Sequence, residues 1–268
     1  MTHRISAVVL NYRTPREAVR CVRALRAQTA RPEEIFVVDN RSEDESVGYI
    51  RNALRDLPDV RIVENRANTG YGRGNNLAFS MASGDIVLVT NPDNELSPDA
   101  IARMLAVLDA EPDVALVAPK LIHEDGTVRP SARRFPRLFD VIAKRTVLQR
   151  WFPRRVARYL QEDCDPDVRR DVDWVVGACL LVRKSVLDAL GGFDPRFFLF
   201  FEDMDFCRRC WNAGWRVVYL PSAVAADRKR RLSDGSVFSL LTRRVGRAHI
   251  RSAMQYFWKW RWAPLPRH

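Results

Sequence analysis

The chain has 268 residues, 47% of them hydrophobic and 29% charged, a balance that excludes a disordered polymer and suffices for one large domain or two small ones. Its net charge of +11, nearly all from arginine and gathered in 129–158 and 228–261, favours an anionic partner: a nucleotide phosphate, a nucleic acid or an anionic membrane. No apolar run approaches the roughly 20 residues that span a bilayer, and MTHRISAVVLNYRT lacks a signal-peptide pattern, so a cytoplasmic protein is expected. Cys21, Cys164, Cys179, Cys207 and Cys210 lack the spacing of a disulfide framework. The single C-x-x-C, Cys207 to Cys210, has no second pair with which to hold zinc, so reduced thiols are expected.

The first half alternates strand and helix patterns. Apolar runs at 5–10, 35–39, 60–64, 85–90 and 114–119 read as buried strands, and 16–28, 46–55, 74–83 and 98–111 as the helices between them. Such alternation predicts βαβ units, hence an α/β fold with a mostly parallel sheet covered on both faces. In the second half, EDGT within 121–131 reads as a hairpin turn, and 132–170 as a basic, weakly periodic insert or lid. Residues 174–184 read as a strand, 201–214 as a helix capped by Gly214, and 215–220 as a closing strand. A polar, basic and mobile stretch is expected over 222–246, then a helix over 247–262.

Ligands of open parallel sheets bind beyond the carboxyl ends of the strands. Here four successive strand ends carry polar groups: Asn11-Tyr12-Arg13-Thr14, Asp39-Asn40-Arg41-Ser42, the run from Asn68 to Asn76, and Asn91-Pro92-Asp93-Asn94. The glycines at 70, 72 and 74 do not make a dinucleotide fingerprint, because Asn75 and Leu77 stand where the next glycine would be, and no P-loop spacing is present. They form either a plain turn into a helix or a set of backbone N–H groups aimed at a ligand. Asp93, on backbone stiffened by Pro92, is either a turn residue or the single carboxylate that anchors Mg²⁺ or Mn²⁺ beside phosphate oxygens.

A second concentration of charge lies in FFLFFEDMDFCRRC, 197–210, where Glu202, Asp203 and Asp205 follow an aromatic run. Acids in a first helical turn favour the positive end of the dipole, yet buried carboxylates are costly unless paired or used.

The ordered set SAVVLNYRT, VVDNRSED, NTGYGRGNN, LVTNPDN, WVVGACLLVRK and GGFDPRFFLFFEDMDFCRRCWNAGW resembles family 2 glycosyltransferases of the GT-A fold, and within them the rhamnosyltransferase-like branch. The resemblance runs from about residue 5 to 220. It implies a single Rossmann-like nucleotide-sugar-binding domain over 1–220, with a donor half at 1–95 and an acceptor half at 96–220, followed by a basic loop and amphipathic helix at 221–268. It implies that Asn11, Tyr12, Arg13, Asp39, Asn68, Gly70, Gly74, Asn75, Asn91 and Asp93 bind the donor nucleotide-sugar, with Asp93 the remaining acid of a metal-binding D-x-D. Asp203 matches the catalytic base and Glu202 its catalytic neighbour. Asp205, Trp174, Gly177, Arg228 and Arg230 are expected to position the acceptor or base, and Arg208 and Trp211 to support the fold.

The implied reaction is inverting transfer of a sugar, with deoxythymidine-diphosphate rhamnose as the suggested donor, to a glycan or polyprenyl-linked acceptor in cell-envelope polysaccharide synthesis. A carboxylate takes the proton of a poor hydroxyl nucleophile, and cations hold the departing diphosphate. One departure stands out: the family commonly has a histidine after the closing strand, and PSAVAADRKRRLSDGS has none. Asp227 substitutes as a metal ligand, or Arg228, Lys229 and Arg230 grip the diphosphate, or the run is a solvated loop. The aromatic and cationic AMQYFWKWRWAP suits either packing on the domain or an anionic membrane surface, which places the protein peripherally at the inner face of the cell membrane. A sugar nucleotidyltransferase would carry a glycine-rich loop where NYRTPRE stands, and no nucleic-acid recognition element is present. The remaining alternative is a glycosyltransferase-like binding protein that has lost activity, against which stand Asp93, Glu202 and Asp203.

Overall fold

The structure, a computed structural model, describes residues 3–227 and 244–266. The donor half consists of β1 (Ile5–Asn11), α1 (Pro15–Arg26), β2 (Glu34–Asp39), α2 (Ser46–Leu54), β3 (Val60–Glu64), α3 (Tyr71–Phe79), β4 (Ile86–Thr90) and β5 (Asn94–Leu96). There follow α4 (Ala100–Ala110), β6 (Val114–His123), β7 (Val128–Arg129), β8 (Ala132–Arg133), α5 (Leu138–Arg145), α6 (Leu148–Trp151) and α7 (Pro153–Leu160). The chain continues through β9 (Arg170–Asp171), β10 (Trp174–Val175), β11 (Cys179–Arg183), α8 (Lys184–Leu190), α9 (Glu202–Asn212) and β12 (Arg216–Asp227), and α10 spans Arg244–Lys259.

The main sheet runs β3-β2-β1-β4-β11-β6-β12-β5. The first four strands are parallel, as are β6 and β12, while β11 and β5 run antiparallel to their neighbours. Alternating side chains feed two cores: Val8, Leu10, Phe36 and Val38 pack on one face, and Ala7, Val9, Ile35 and Val37 on the other. Helices α1 and α4 cover the second face, and α3, α8, α9 and α10 contribute to the first. The register then aligns the polar strand ends: Asn11 pairs with Asp39, and Val9 with Thr90, so Asn91 leaves the sheet level with Leu10.

Several expectations change. The third helix starts at Tyr71, so Gly72 and Gly74 lie inside it. A Cβ on Gly74 would come within 2.7 Å of Leu10 Cδ1, and one on Gly72 within 3.2 Å of Phe193 Cβ, so these glycines serve close packing. Residues 174–184 are two short strands broken at Gly177, and α8 begins at Lys184. The insert is three helices whose side chains share the core through Ala143, Val156, Tyr159 and Leu160. Strand β12 passes the expected boundary at 220, shifts register, and pairs on with β5 and β6 to Asp227. Residues 228–243, including the basic run of the expected mobile loop, lie outside the described residues.

The C-terminal helix is fastened to the domain. Asp205, fully buried, accepts from Arg209 Nε at 2.8 Å, Trp260 Nε1 at 2.9 Å and Lys259 Nζ at 2.6 Å. Arg208 stacks on Trp260 at 4.4 Å and donates to the carbonyls of Ala263 and Pro264, and Trp211 Nε1 donates to those of Val172 and Asp173. The supporting roles of Arg208 and Trp211 hold. The positioning role read for Asp205 does not, because its Oδ1 is committed to tying α9 to the C-terminal segment and its Oδ2 to Arg209 within α9. All four cysteines of the core are buried free thiols, and burial pushes Cys210 up to about 12.

Gly70 carries a φ of +85°, and a Cβ there would sit 2.0 Å from the Phe198 carbonyl oxygen. Gly70→Ala is therefore expected to destabilise the domain by about 1–3 kcal/mol from backbone conformation alone, with the clash added. Urea unfolding measures it; an unchanged midpoint would contradict this packing.

Candidate active site

The nucleotide edge is built by hydrogen bonds between strand ends. Asn11 Nδ2 donates to Asp39 Oδ1 at 2.7 Å, and Asn11 Oδ1 accepts from the backbone and hydroxyl of Thr14. Ser42 donates to both oxygens of Asp39, through its hydroxyl and its backbone N–H, and its own oxygens hold the backbone N–H and guanidinium of Arg13. Arg13, Arg41 and Glu43 are all held at positive φ here, a strain that persists only where surrounding bonds fix it. Tyr12 is 43% exposed beside the Arg13 guanidinium, presenting a ring at the carboxyl edge of β1. Ser42 stands in the polar run after β2 but not among the donor-binding residues that the resemblance implies; its place three residues after Asp39 is the signal of an Asx-type turn.

Asn68 faces inward, its Oδ1 accepting from Asn40 Nδ2 and the backbone of Gly70. Asn75 is fully buried, donates to the Tyr71 carbonyl, and leaves its Oδ1 without a partner. Tyr71 N–H is taken by the Phe198 carbonyl, so the start of α3 is closed to a ligand at that donor. The glycines thus turn and pack the helix.

Asn91-Pro92-Asp93-Asn94 meets the base across one backbone segment. Asn91 N–H and Asn94 Nδ2 both donate to the Ala178 carbonyl, while the adjacent Gly177 N–H donates to Asp203 Oδ2 at 2.8 Å. A Cβ on Gly177 would lie 3.2 Å from Asp203 Cβ, so glycine is what lets the backbone reach the carboxylate. Asp227, paired in register with Asn94, is buried in an ion pair with Arg129. Among the described residues no group of three or more His, Cys, Asp or Glu forms a metal cage. What remains is Asp93, with a buried unpartnered Oδ1 on Asn94 beside it, while the ion pair with Arg129 commits the Asp227 expected as a second ligand. That donor set fits an ion held by one or two carboxylates and otherwise by phosphate oxygens and water.

Phe200 and Phe201, at φ of 68° and 70°, turn the chain into α9. Ring contacts of Phe201 with Tyr256 and of both with His249 hold them there. The turn puts Glu202 and Asp203 in the first turn of the helix, where its dipole favours negative charge. Burial, then the charge of Asp203, pushes the Glu202 carboxyl well above its ordinary 4.5, and its Oε2 has no hydrogen-bond partner. Asp203 is also raised by burial, but the N–H groups of Gly177 and Met204 and the charge of Arg133 oppose that rise. The pair therefore holds its proton on Glu202 and its charge on Asp203. Asp203 lines a cavity of about 110 Å³ with Arg129, Arg133, Lys144, Trp174 and His249. Trp174 Nε1 donates to the Arg134 carbonyl and its ring stacks under Arg133 at 5.1 Å. Arg228 and Arg230 lie outside the described residues.

A mostly parallel sheet with a polar carboxyl edge, facing a buried acid pair at the start of a later helix, defines a GT-A glycosyltransferase. The chain belongs to glycosyl transferase family 2, whose sequence model matches residues 6–191. It is 32% identical, over 99% of its length and 89% of the relative's, to the N-acetylglucosaminyl-diphospho-decaprenol L-rhamnosyltransferase of Mycobacterium tuberculosis (strain CDC 1551 / Oshkosh). It is 27% identical to the rhamnosyltransferase WbbL of Escherichia coli (strain K12), over 70% of this chain and 69% of that one. Among solved structures, GalNAc-T7 with UDP, GalNAc and Mn²⁺ superposes with a TM-score of 0.65 at 15% identity, covering 86% of this chain and 44% of that chain, which shows the fold.

A raised Glu202 gives stability a pH signature. Above pH 4.5 the unfolded chain releases a proton that native Glu202 keeps, so this group's stabilising contribution, complete below that pH, is lost as pH rises toward its raised native value. Glu202→Gln should reduce this fall. Thermal melts of both proteins across that window measure it, and parallel pH dependences would contradict the protonated Glu202.

Proposed function

We propose that the protein is an inverting rhamnosyltransferase that moves a 6-deoxyhexose from a nucleoside diphosphate, deoxythymidine-diphosphate rhamnose being the donor suggested, to a sugar hydroxyl of a polyprenyl-diphosphate-linked acceptor in cell-envelope glycan synthesis. The observation that carries it is the half-buried Asp203, oriented by the Gly177 N–H beside the buried Glu202, across one backbone segment from Asp93. The near full-length similarity to the mycobacterial rhamnosyltransferase supports the substrate class.

In this reading Tyr12, Asn11 and Asp39 receive the base and ribose. Asp203 takes the acceptor hydroxyl proton as its oxygen bonds to the anomeric carbon, and the bond to the diphosphate oxygen breaks with its electron pair leaving on the nucleoside diphosphate. Mg²⁺ or Mn²⁺, held by Asp93 with phosphate oxygens and water, would supply charge neutralisation at the diphosphate. Transfer from deoxythymidine-diphosphate rhamnose to a synthetic N-acetylglucosaminyl-diphospho-lipid tests the reading. Asp203→Asn should lower kcat by about 10²–10⁴-fold with little change in donor binding, whereas retained turnover would refute the base.

The same reading places the enzyme on an anionic membrane. Among the described residues no helix is long and apolar enough to cross a bilayer. Yet Val147 and Trp151 on the insert, and Trp258 and Trp262 at the C-terminus, are 74%, 79%, 69% and 86% exposed. Leu138 and Leu265 line one groove between these elements, with Arg137 and Arg261 beside them. Exposed aromatics rimmed by arginine suit the headgroup level of an anionic bilayer. The protein should float with phosphatidylglycerol vesicles, and the double variant Trp151→Glu, Trp262→Glu should not; flotation unaffected by both changes would contradict this face.

A further inference from the structure

Arg133 is 8% exposed, yet it makes one protein hydrogen bond, Nη2 to the Pro130 carbonyl at 3.3 Å, and no ion pair among the described residues. Its Nε is buried and unpartnered, whereas the neighbouring Arg129 is already neutralised by its ion pair with Asp227. A buried guanidinium with most of its five donors unused is costly unless an anion completes it. Arg133 lines the cavity beside Asp203, and so do Arg129 and Lys144, with His249 closing it from the C-terminal helix. By the measure in which one water needs about 10–15 Å³, its roughly 110 Å³ has room for a phosphate group and part of a sugar. The donor-edge residues Asn11, Asp39 and Asp93 do not line it.

We infer that this cavity binds the sugar-proximal phosphate of the acceptor's diphosphate, through Arg133 and Lys144, so that the sugar bearing the attacked hydroxyl is the one attached directly to that diphosphate. The cations and the base share one small cavity, so the hydroxyl and the anion are separated by about a single sugar ring. A glycan acceptor with its diphosphate several sugars away would leave the Arg133 Nε and the remaining guanidinium donors unused. Lys144 comes from α5, whose Leu138 and Ile142 are exposed toward solvent, so a lipid tail leaving the cavity runs toward the proposed membrane face. The inference rests on the lipid-linked acceptor of the proposed function. The same anion chemistry could come from the departing nucleoside diphosphate, and the test separates the two.

The test compares wild type with Lys144→Gln, on the partly exposed insert, and Arg133→Gln, in the core, using two acceptors: N-acetylglucosaminyl-diphospho-farnesol and the neutral octyl N-acetylglucosaminide. The ratio of kcat/KM for the diphosphate acceptor to that for the neutral one should fall about tenfold or more in each variant, as expected for losing a charged hydrogen bond. An unchanged ratio overturns the inference, as does a matching loss in inhibition by deoxythymidine diphosphate, which would assign the cavity to the leaving group. Calorimetry with geranyl diphosphate needs no turnover: binding by wild type that weakens about tenfold in Lys144→Gln supports the cavity even if neither acceptor is used, an outcome that refutes the proposed function alone. Binding indifferent to Lys144 overturns the inference.

Discussion

Two carboxylates in adjacent positions of a buried helix start cannot both carry charge without a large penalty, and the architecture around Glu202 and Asp203 follows from resolving that conflict. Asp203 receives what stabilises an anion: the Gly177 N–H, its own helix turn and the nearby Arg133. Glu202 receives none of these beyond the helix start, faces the close-packed Gly72, and keeps its proton. Two chemically similar side chains thereby acquire different jobs, one a base and the other a neutral neighbour whose burial fixes the turn. The break between β10 and β11 has the same cause, since only glycine at 177 lets a backbone donor reach the base.

The demands of this pair extend to the C-terminus. The strained Phe200-Phe201 turn is held by His249 and Tyr256 of α10, and α10 is held by Asp205, Arg208 and Lys259. The third acid of the aromatic stretch therefore acts two residues beyond the base, through the helix it anchors. Removing that helix would release the turn that aims Asp203. The C-terminal segment is thus part of the site's support, whatever its outer face meets.

Much of this was legible in the residues. The five apolar runs of the first half became strands at nearly their expected limits, because short β-branched runs bounded by polar loops have few other uses. The polar strand ends met on one edge because parallel register leaves them no alternative. Less legible was whatever depends on a distant partner. Gly72 read as loop and Gly74 as the helix start because the apolar surfaces of Phe193 and Leu10 that they admit are remote in sequence. Asp205 read as a site residue because its partners Lys259 and Trp260 lie more than fifty positions away. Strand β12 outran its apolar pattern, since its last residues pair with β5 and β6 across a bulge that local composition does not reveal. The insert gave no periodic signal because its helices are short and bury only part of one face.

The division of proton and charge between the two acids is the claim on which base assignment, helix placement and pH behaviour all depend. Infrared spectroscopy of the carboxylic acid carbonyl band at neutral pH reads it directly. The account predicts a buried protonated-acid band in wild type that disappears in Glu202→Gln and persists in Asp203→Asn. A band lost in Asp203→Asn and kept in Glu202→Gln would place the proton on Asp203 and contradict it.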